Sequence, residues 1–318
     1  MSREQIVVIG AGPAGMAAAL AAADAGAEDI VIIERDYEPG GILNQCVHDG
    51  FGNLIFGESL TGPEYAHRFI EKLRRRSRIR LLTGTMVLSL HPDCSLKAVN
   101  RTGAFTMKPG AVVLAMGCRE RSRFQAVIPG YRPAGVYTAG TVQRLINMEG
   151  LMPGEKAVIL GSGDIGLIMA RRLTLEGAHV CGVFEILPRP GGLTRNIVQC
   201  LHDFNIPLHL SHTVTFIHGK KRISGVSVAP VDDRGNPCKE QERFIPCDTL
   251  ILSVGLIPEN ELSRGAGVLI DDFTRGPRVD QDMATSVPGI FAGGNAVQVY
   301  DLVDHVTNAA GIAGRAAA

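Results

Sequence analysis

None of the seven cysteines (46, 94, 118, 181, 200, 238 and 247) stands in a C-x-x-C pair, and their number is odd. That argues against a disulfide framework and a thiolate zinc site, so no metal is expected, and it points to a reducing cytoplasm. Net charge is lacking too: Lys+Arg and Asp+Glu both number 32. No global electrostatic footprint for nucleic acid or for an anionic membrane follows. The one basic cluster, Arg68, Lys72, Arg74, Arg75, Arg76, Arg78 and Arg80, reads as a solvated face, with a docking patch for an acidic partner as the alternative. No apolar run approaches bilayer-spanning length, so no membrane span is expected. The first strand pattern, at 6–9, starts too near Met1 to leave room for a signal peptide.

What the chain does have is a repeat. It is 318 residues long, 45% hydrophobic and 20% charged, with 38 glycines set between apolar runs. The stretch from Gly10 to Gly41 aligns without gaps to Gly161 through Gly192, and each landmark (161 − 10, 185 − 34, 192 − 41) obeys an offset of 151. A period this long indicates two copies of one nucleotide-binding unit, not a solenoid. Each copy reads as strand, glycine turn, helix, strand: 6–9, 13–25 and 30–33 in the first, 157–160, 164–176 and 180–184 in the second.

Between the copies, 85–90, 96–100 and 105–108 suggest a small antiparallel sheet, followed by a buried strand at 111–115. Beyond the second copy, 222–231 and 240–245 suggest a hairpin around the turn 232–237. Buried strands at 249–254 and 289–292 precede a final helix near Asp301. The expected fold is α/β: two Rossmann-like domains of three-layer ββα type, with residues 119–248 inserted into a discontinuous domain of 1–118 and 249–318.

Gly10-x-Gly12-x-x-Gly15 and Gly161-x-Gly163-x-x-Gly166 carry the chemistry. The first glycine permits a tight turn, the second a close approach of backbone to a pyrophosphate, and the third close packing of helix on strand. The helix heads, Pro13 and Ala14 in one copy and Asp164 and Ile165 in the other, then aim amides and the positive dipole end at the phosphates. Glu34 and Glu185 close the second strands, where a carboxylate can accept hydrogen bonds from ribose hydroxyls. At Glu185 it favours the free 2′-hydroxyl of NAD over the 2′-phosphate of NADP, an inference that Arg189 weakens slightly.

Together with VLAMG (113–117), SVGLIP (253–258) and TSVPGIFAGGN (285–295), these motifs resemble the FAD-dependent pyridine nucleotide-disulfide oxidoreductase superfamily over nearly the whole chain. GGILNQC and TGPE are similar to its two-domain, thioredoxin-reductase-like branch. The resemblance implies FAD on the first turn and NAD(H) on the second. It adds Arg35, Gly41, Ile42, Leu43, Ala115, Met116, Gly117, Gly294, Asn295, Leu302 and Val303 as FAD contacts. Leu302 and Val303, with Tyr300 and Asp301, would open a helix whose positive end faces the flavin. Asn295 departs from the family pattern, which has Asp there.

Two readings of Cys46 stand: a redox thiol beside the flavin, tuned by His48, or a small residue lining a cofactor loop. The favoured function is hydride transfer between NADH and FAD, with electrons exchanged with a partner dehydrogenase or a small acceptor. GGILNQCVHDGFG, SVGLIPENEL and GNAVQVYDLVDHV are similar to subunits that work beside glycerol-3-phosphate or amino-acid dehydrogenases. The alternatives are a disulfide or peroxide reductase acting through Cys46 and a non-catalytic nucleotide-binding or redox-sensing subunit. The oligomeric state stays open.

Overall fold

The computed structural model describes residues 5–318, and the chain divides into two compact units. One comprises Met1–Arg119 and Ile257–Ala318, the other Glu120–Leu256.

The first unit is built on five parallel strands in the order Ile290–Ala292, Ala111–Leu114, Ile6–Ile9, Ile30–Ile33, Ile79–Leu82. Its three inner strands are apolar at every position and buried at every position, because both faces of the sheet are covered. Alternate residues face opposite ways. Ile6, Val8, Ile30, Ile32 and Val113 pack on the helices Pro13–Asp24, Gly62–Arg74 and Val303–Ala317. Val7, Ile9, Val31, Ile33 and Leu114 pack on an antiparallel sheet of Met86–Leu90, Leu96–Asn100 and Gly103–Met107. Each such side chain contributes about 1.5–3 kcal/mol by leaving water.

Helix Gly62–Arg74 begins with a capping box: Thr61 Oγ1 accepts from Glu64 N, and Glu64 accepts from Thr61 N. Among the described residues, four of the seven cations of the basic cluster are ion-paired: Arg68 to Glu58, Arg74 to Glu71, Arg76 to Asp24 and Arg80 to Asp29. Lys72 lies over the Phe56 and Phe69 rings. The face is solvated and largely self-compensated.

The second unit repeats the design with five parallel strands, Val136–Thr138, Thr249–Leu252, Lys156–Leu160, His179–Glu185 and Leu208–Leu210 in spatial order. Ile159, Val183 and Ile251 face the helices Ala139–Asn147 and Asp164–Leu175. Val158, Leu160, Phe184 and Leu252 face an antiparallel sheet of His212–His218, Gly225–Pro230 and Arg243–Ile245. The expected hairpin is thus present as two strands of a three-stranded sheet. Its turn is held by Asp232 Oδ1, which accepts from Arg234 N and Asn236 N.

The three-layer architecture expected from sequence is therefore present in both units. The second crossing differs from expectation, falling between 256 and 257 instead of 248 and 249. Strand Thr249–Leu252 hydrogen-bonds along Lys156–Leu160, which fixes it in the second unit's sheet. An apolar run cannot reveal which of two similar sheets it joins. No helix among the described residues is long and apolar enough to cross a membrane.

Candidate dinucleotide sites

In the first unit, Gly10, Ala115 and Gly293 follow neighbouring parallel strands, so they line up along the carboxyl edge of the sheet, where ligands of open α/β sheets bind. Gly10 has φ +104°, a conformation that a side chain would strain, and a Cβ there would also press on the Ala115 carbonyl. A Cβ on Gly15 would run into the Gly10 carbonyl oxygen, so the third glycine is fixed by helix-on-turn packing. At Gly12 a Cβ would meet nothing within 4 Å: the turn opens onto free space there. Gly12 caps helix Pro13–Asp24 with no side-chain hydrogen bond and no acid in the first turn, leaving its head available to an anion.

Glu34 is 6% exposed; Oε2 accepts from Ala11 N (2.7 Å) and Oε1 from Asp36 N (2.8 Å). The carboxylate ties the turn to the strand end, and ribose hydroxyls would have to share its remaining lone pairs.

The second unit reproduces this bond for bond. Gly161 has φ +96° and packs on the Ser253 carbonyl, as Gly10 does on Ala115. Glu185, 7% exposed, accepts from Ser162 N (2.9 Å) through Oε2 and from Leu187 N (3.0 Å) through Oε1. Ser162 and Leu187 are the 151-residue counterparts of Ala11 and Asp36. Among the bonds this copy adds, Ser162 Oγ donates to Glu185 Oε2 (2.6 Å), and Gly166 N donates to Ser253 Oγ (3.1 Å). Gly163 caps helix Asp164–Leu175, and Asp164 stands in its first turn beside half-buried Ile165.

The remaining sequence-derived residues fall in distinct settings. Gly41 packs on Gly12, Gly117 faces open space, and Gly294 is buried against Ala14. Ile42 is 57% exposed, whereas Leu43, at 1%, lies in the helix-side core and could reach a ligand only through its backbone. Arg35 and Arg189 are exposed and Met116 half-buried. Asn295 Oδ1 accepts from Tyr300 N (3.1 Å) while its Nδ2 donates to Cys118 Sγ (3.7 Å), so the amide that replaces the family's Asp holds the loop leading to the last helix. Leu302 caps that helix without a side-chain bond, and Val303 is its first residue. Sequence reading missed what secures it: Asp304, 2% exposed, accepts from Ile55 N (3.0 Å), and Thr307 shares a 2.8 Å bond with Tyr65.

Cys46 is 5% exposed, its thiol donates to the Ile42 carbonyl (3.2 Å), and burial pushes the thiol up to about 12. It packs beneath Gly62, whose Cβ would lie 2.8 Å from that of Cys46. A thiol so placed stays protonated at neutral pH, which fits the lining reading. His48 packs on Phe51, with ring centroids 5.1 Å apart.

Two parallel sheets, each ending in a glycine turn braced by a buried glutamate, define a protein with two dinucleotide-binding units. The sequence profile described as pyridine nucleotide-disulphide oxidoreductase matches residues 4–313, and the chain belongs to that family, whose members use FAD and NAD(P)H. Among curated relatives, an opine oxidase subunit of Agrobacterium tumefaciens is 27% identical, covering 98% of this chain and 64% of its own length. Hydrogen cyanide synthase subunit HcnB of Pseudomonas aeruginosa is 29% identical (82% and 59%), and an NADH oxidase of Methanocaldococcus jannaschii 26% (93% and 64%). The chain thus spans less than two thirds of each of these relatives. Among solved structures, thioredoxin reductase of T. acidophilum superposes with TM-score 0.78 at 23% identity, covering 99% of this chain and 97% of that one.

Proposed function

We propose that the first turn binds FAD, the second binds NADH, and the protein passes a hydride from the nicotinamide to the flavin. The supporting observation is the duplicated turn in which Glu34 and Glu185 make matching backbone bonds. FAD supplies the ring that accepts the hydride, and no side-chain acid or base is needed for that half. The chain's part is to bind and orient. The uncapped head of Pro13–Asp24 would hold the FAD diphosphate, and the positive end of Val303–Ala317 would favour negative charge on the flavin.

Electrons then leave to a partner protein or a small acceptor. The relatives named as subunits of opine oxidase and hydrogen cyanide synthase support a partner. Buried Cys46 is poorly suited to a disulfide or peroxide reductase.

The purified protein is expected to be yellow and to release FAD on denaturation. NADH should bleach it under anaerobic titration, after which acceptors (quinone, oxygen, disulfide, a co-purified dehydrogenase) identify the second half-reaction. Recovery of FMN, or of a colourless protein that takes up no FAD, rejects the reading. A flavin that NADH leaves oxidised points to a non-catalytic role.

A further inference from the structure

The loop after Glu185 is not held by burial. Ile186, Leu187 and Leu193 are 45%, 50% and 50% exposed, so packing does little to fix residues 186–193. Hydrogen bonds to the glycine turn and the helix head fix them instead. Leu187 N donates to Glu185, Gly191 N to Ser162 Oγ (2.8 Å) and Leu193 N to Asp164 Oδ1 (2.8 Å). Asn196 Nδ2 donates to the same Asp164 oxygen (2.7 Å). Leu193 is the N-cap of helix Thr194–Cys200 and has no polar side chain, so what Asp164 ties to its own helix head is the N-cap amide and the Asn196 side chain, which anchors the loop's end. A Cβ on Gly192 would stand 2.8 Å from Asp164 Oδ1 and 2.7 Å from Leu167 Cδ1, so the loop passes close against that carboxylate.

The first copy has no such device. Its counterparts of Ser162 and Asp164 are Ala11 and Pro13, which offer no side-chain acceptor. There the loop closes through Gly40 N to the Ala11 carbonyl (2.8 Å) and Asn44 Nδ2 to the Pro39 carbonyl (3.0 Å).

We infer that Asp164 is a positioning residue for coenzyme binding: its carboxylate latches the loop over the second turn in the form that receives the adenosine half of NADH. The inference rests on the second turn being the NADH site. Its effect belongs to binding and not to the chemical step, because a latch on a loop pre-pays ordering that the coenzyme would otherwise bear.

The test is stopped-flow flavin reduction of the full chain at varied NADH. Asp164→Ala should raise the half-saturating NADH concentration about tenfold and leave the limiting rate unchanged. Asp164→Asn, whose amide oxygen can still accept from Leu193 N, should stay within about threefold of wild type. Hydrogen exchange on coenzyme-free protein should show the Leu193 amide exchanging faster in the alanine variant alone. An alanine variant that saturates like wild type, one that loses limiting rate instead, or an asparagine variant as weak as alanine overturns the inference. Wild-type protein that does not bind NADH overturns the coenzyme reading, and this inference with it. Wild-type binding with an indifferent Asp164→Ala overturns this inference alone.

Discussion

At the scale of single residues, burial decides what Cys46 does. The native state keeps a proton that the unfolded chain releases, since the thiol is raised from 9.0 to about 12. Its stabilising contribution is complete below pH 9 and is lost as pH rises toward 12, at no more than about 1.4 kcal/mol per pH unit. Cys247 behaves alike in the second unit. Urea unfolding followed from pH 8 to 11 should therefore fall less steeply for Cys46→Ser than for wild type. The same variant should keep flavin reduction by NADH within about a factor of ten.

Glu185 makes a sharper case. Its carboxylate should disfavour a 2′-phosphate, giving NADH an advantage of about ten- to a hundredfold in kcat/KM. Because it also braces Ser162 and Leu187, Glu185→Ala should lower stability by about 1–3 kcal/mol besides weakening NADH. Glu185→Arg should shift preference toward NADPH, read by flavin reduction with each coenzyme. An unchanged ratio rejects the ribose assignment.

At the scale of elements, the last helix lies on Pro13–Asp24 through small residues. A Cβ on Gly314 would strike the Ala18 carbonyl, whereas one on Gly311 would meet only the Arg315 guanidinium at 3.6 Å and Ala21 Cβ at 4.0 Å. Gly314→Ala should cost about 1–3 kcal/mol and loosen FAD, as the displaced helix carries its head with it. Gly311→Ala should be neutral or gain up to about 1 kcal/mol from helix propensity. Paired urea titrations and FAD-release measurements distinguish them.

The strands and fingerprint helices were legible because apolar runs, glycine spacing and a terminal acid are local signals. Strand His212–His218 was not, since a register shift between Val214 and Phe216 breaks its alternation and leaves the buried residues, Val214 and Ile217, three apart. The bond from Leu193 N to Asp164, and the bond from Ile55 N to Asp304, join residues far apart in the chain. No sequence period reports such bonds. Glu185 was legible as an acid in the right place, but not as a brace for its own turn.

At the scale of the molecule, each unit holds two apolar layers of its own around its sheet. Calorimetry should resolve two transitions, with FAD raising one and NADH the other by mass action. A single transition that moves with both ligands would show that the units unfold together.

The points where the chain crosses between units have a practical consequence. Arg121 N donates to the Gly255 carbonyl at 3.0 Å, so the two ends of the second unit emerge side by side. Glu259 N donates to the Gly117 carbonyl at 3.0 Å, so the first unit meets itself across the gap the insert would leave. The insert is therefore a cassette. Cutting out Glu120–Leu256 and joining Arg119 to Ile257 through a tight turn of about two residues would leave the proposed flavin-binding unit with an uninterrupted sheet and its Cys118–Asn295 bond. The excised piece would let coenzyme affinity be weighed without any yellow chromophore in the cuvette.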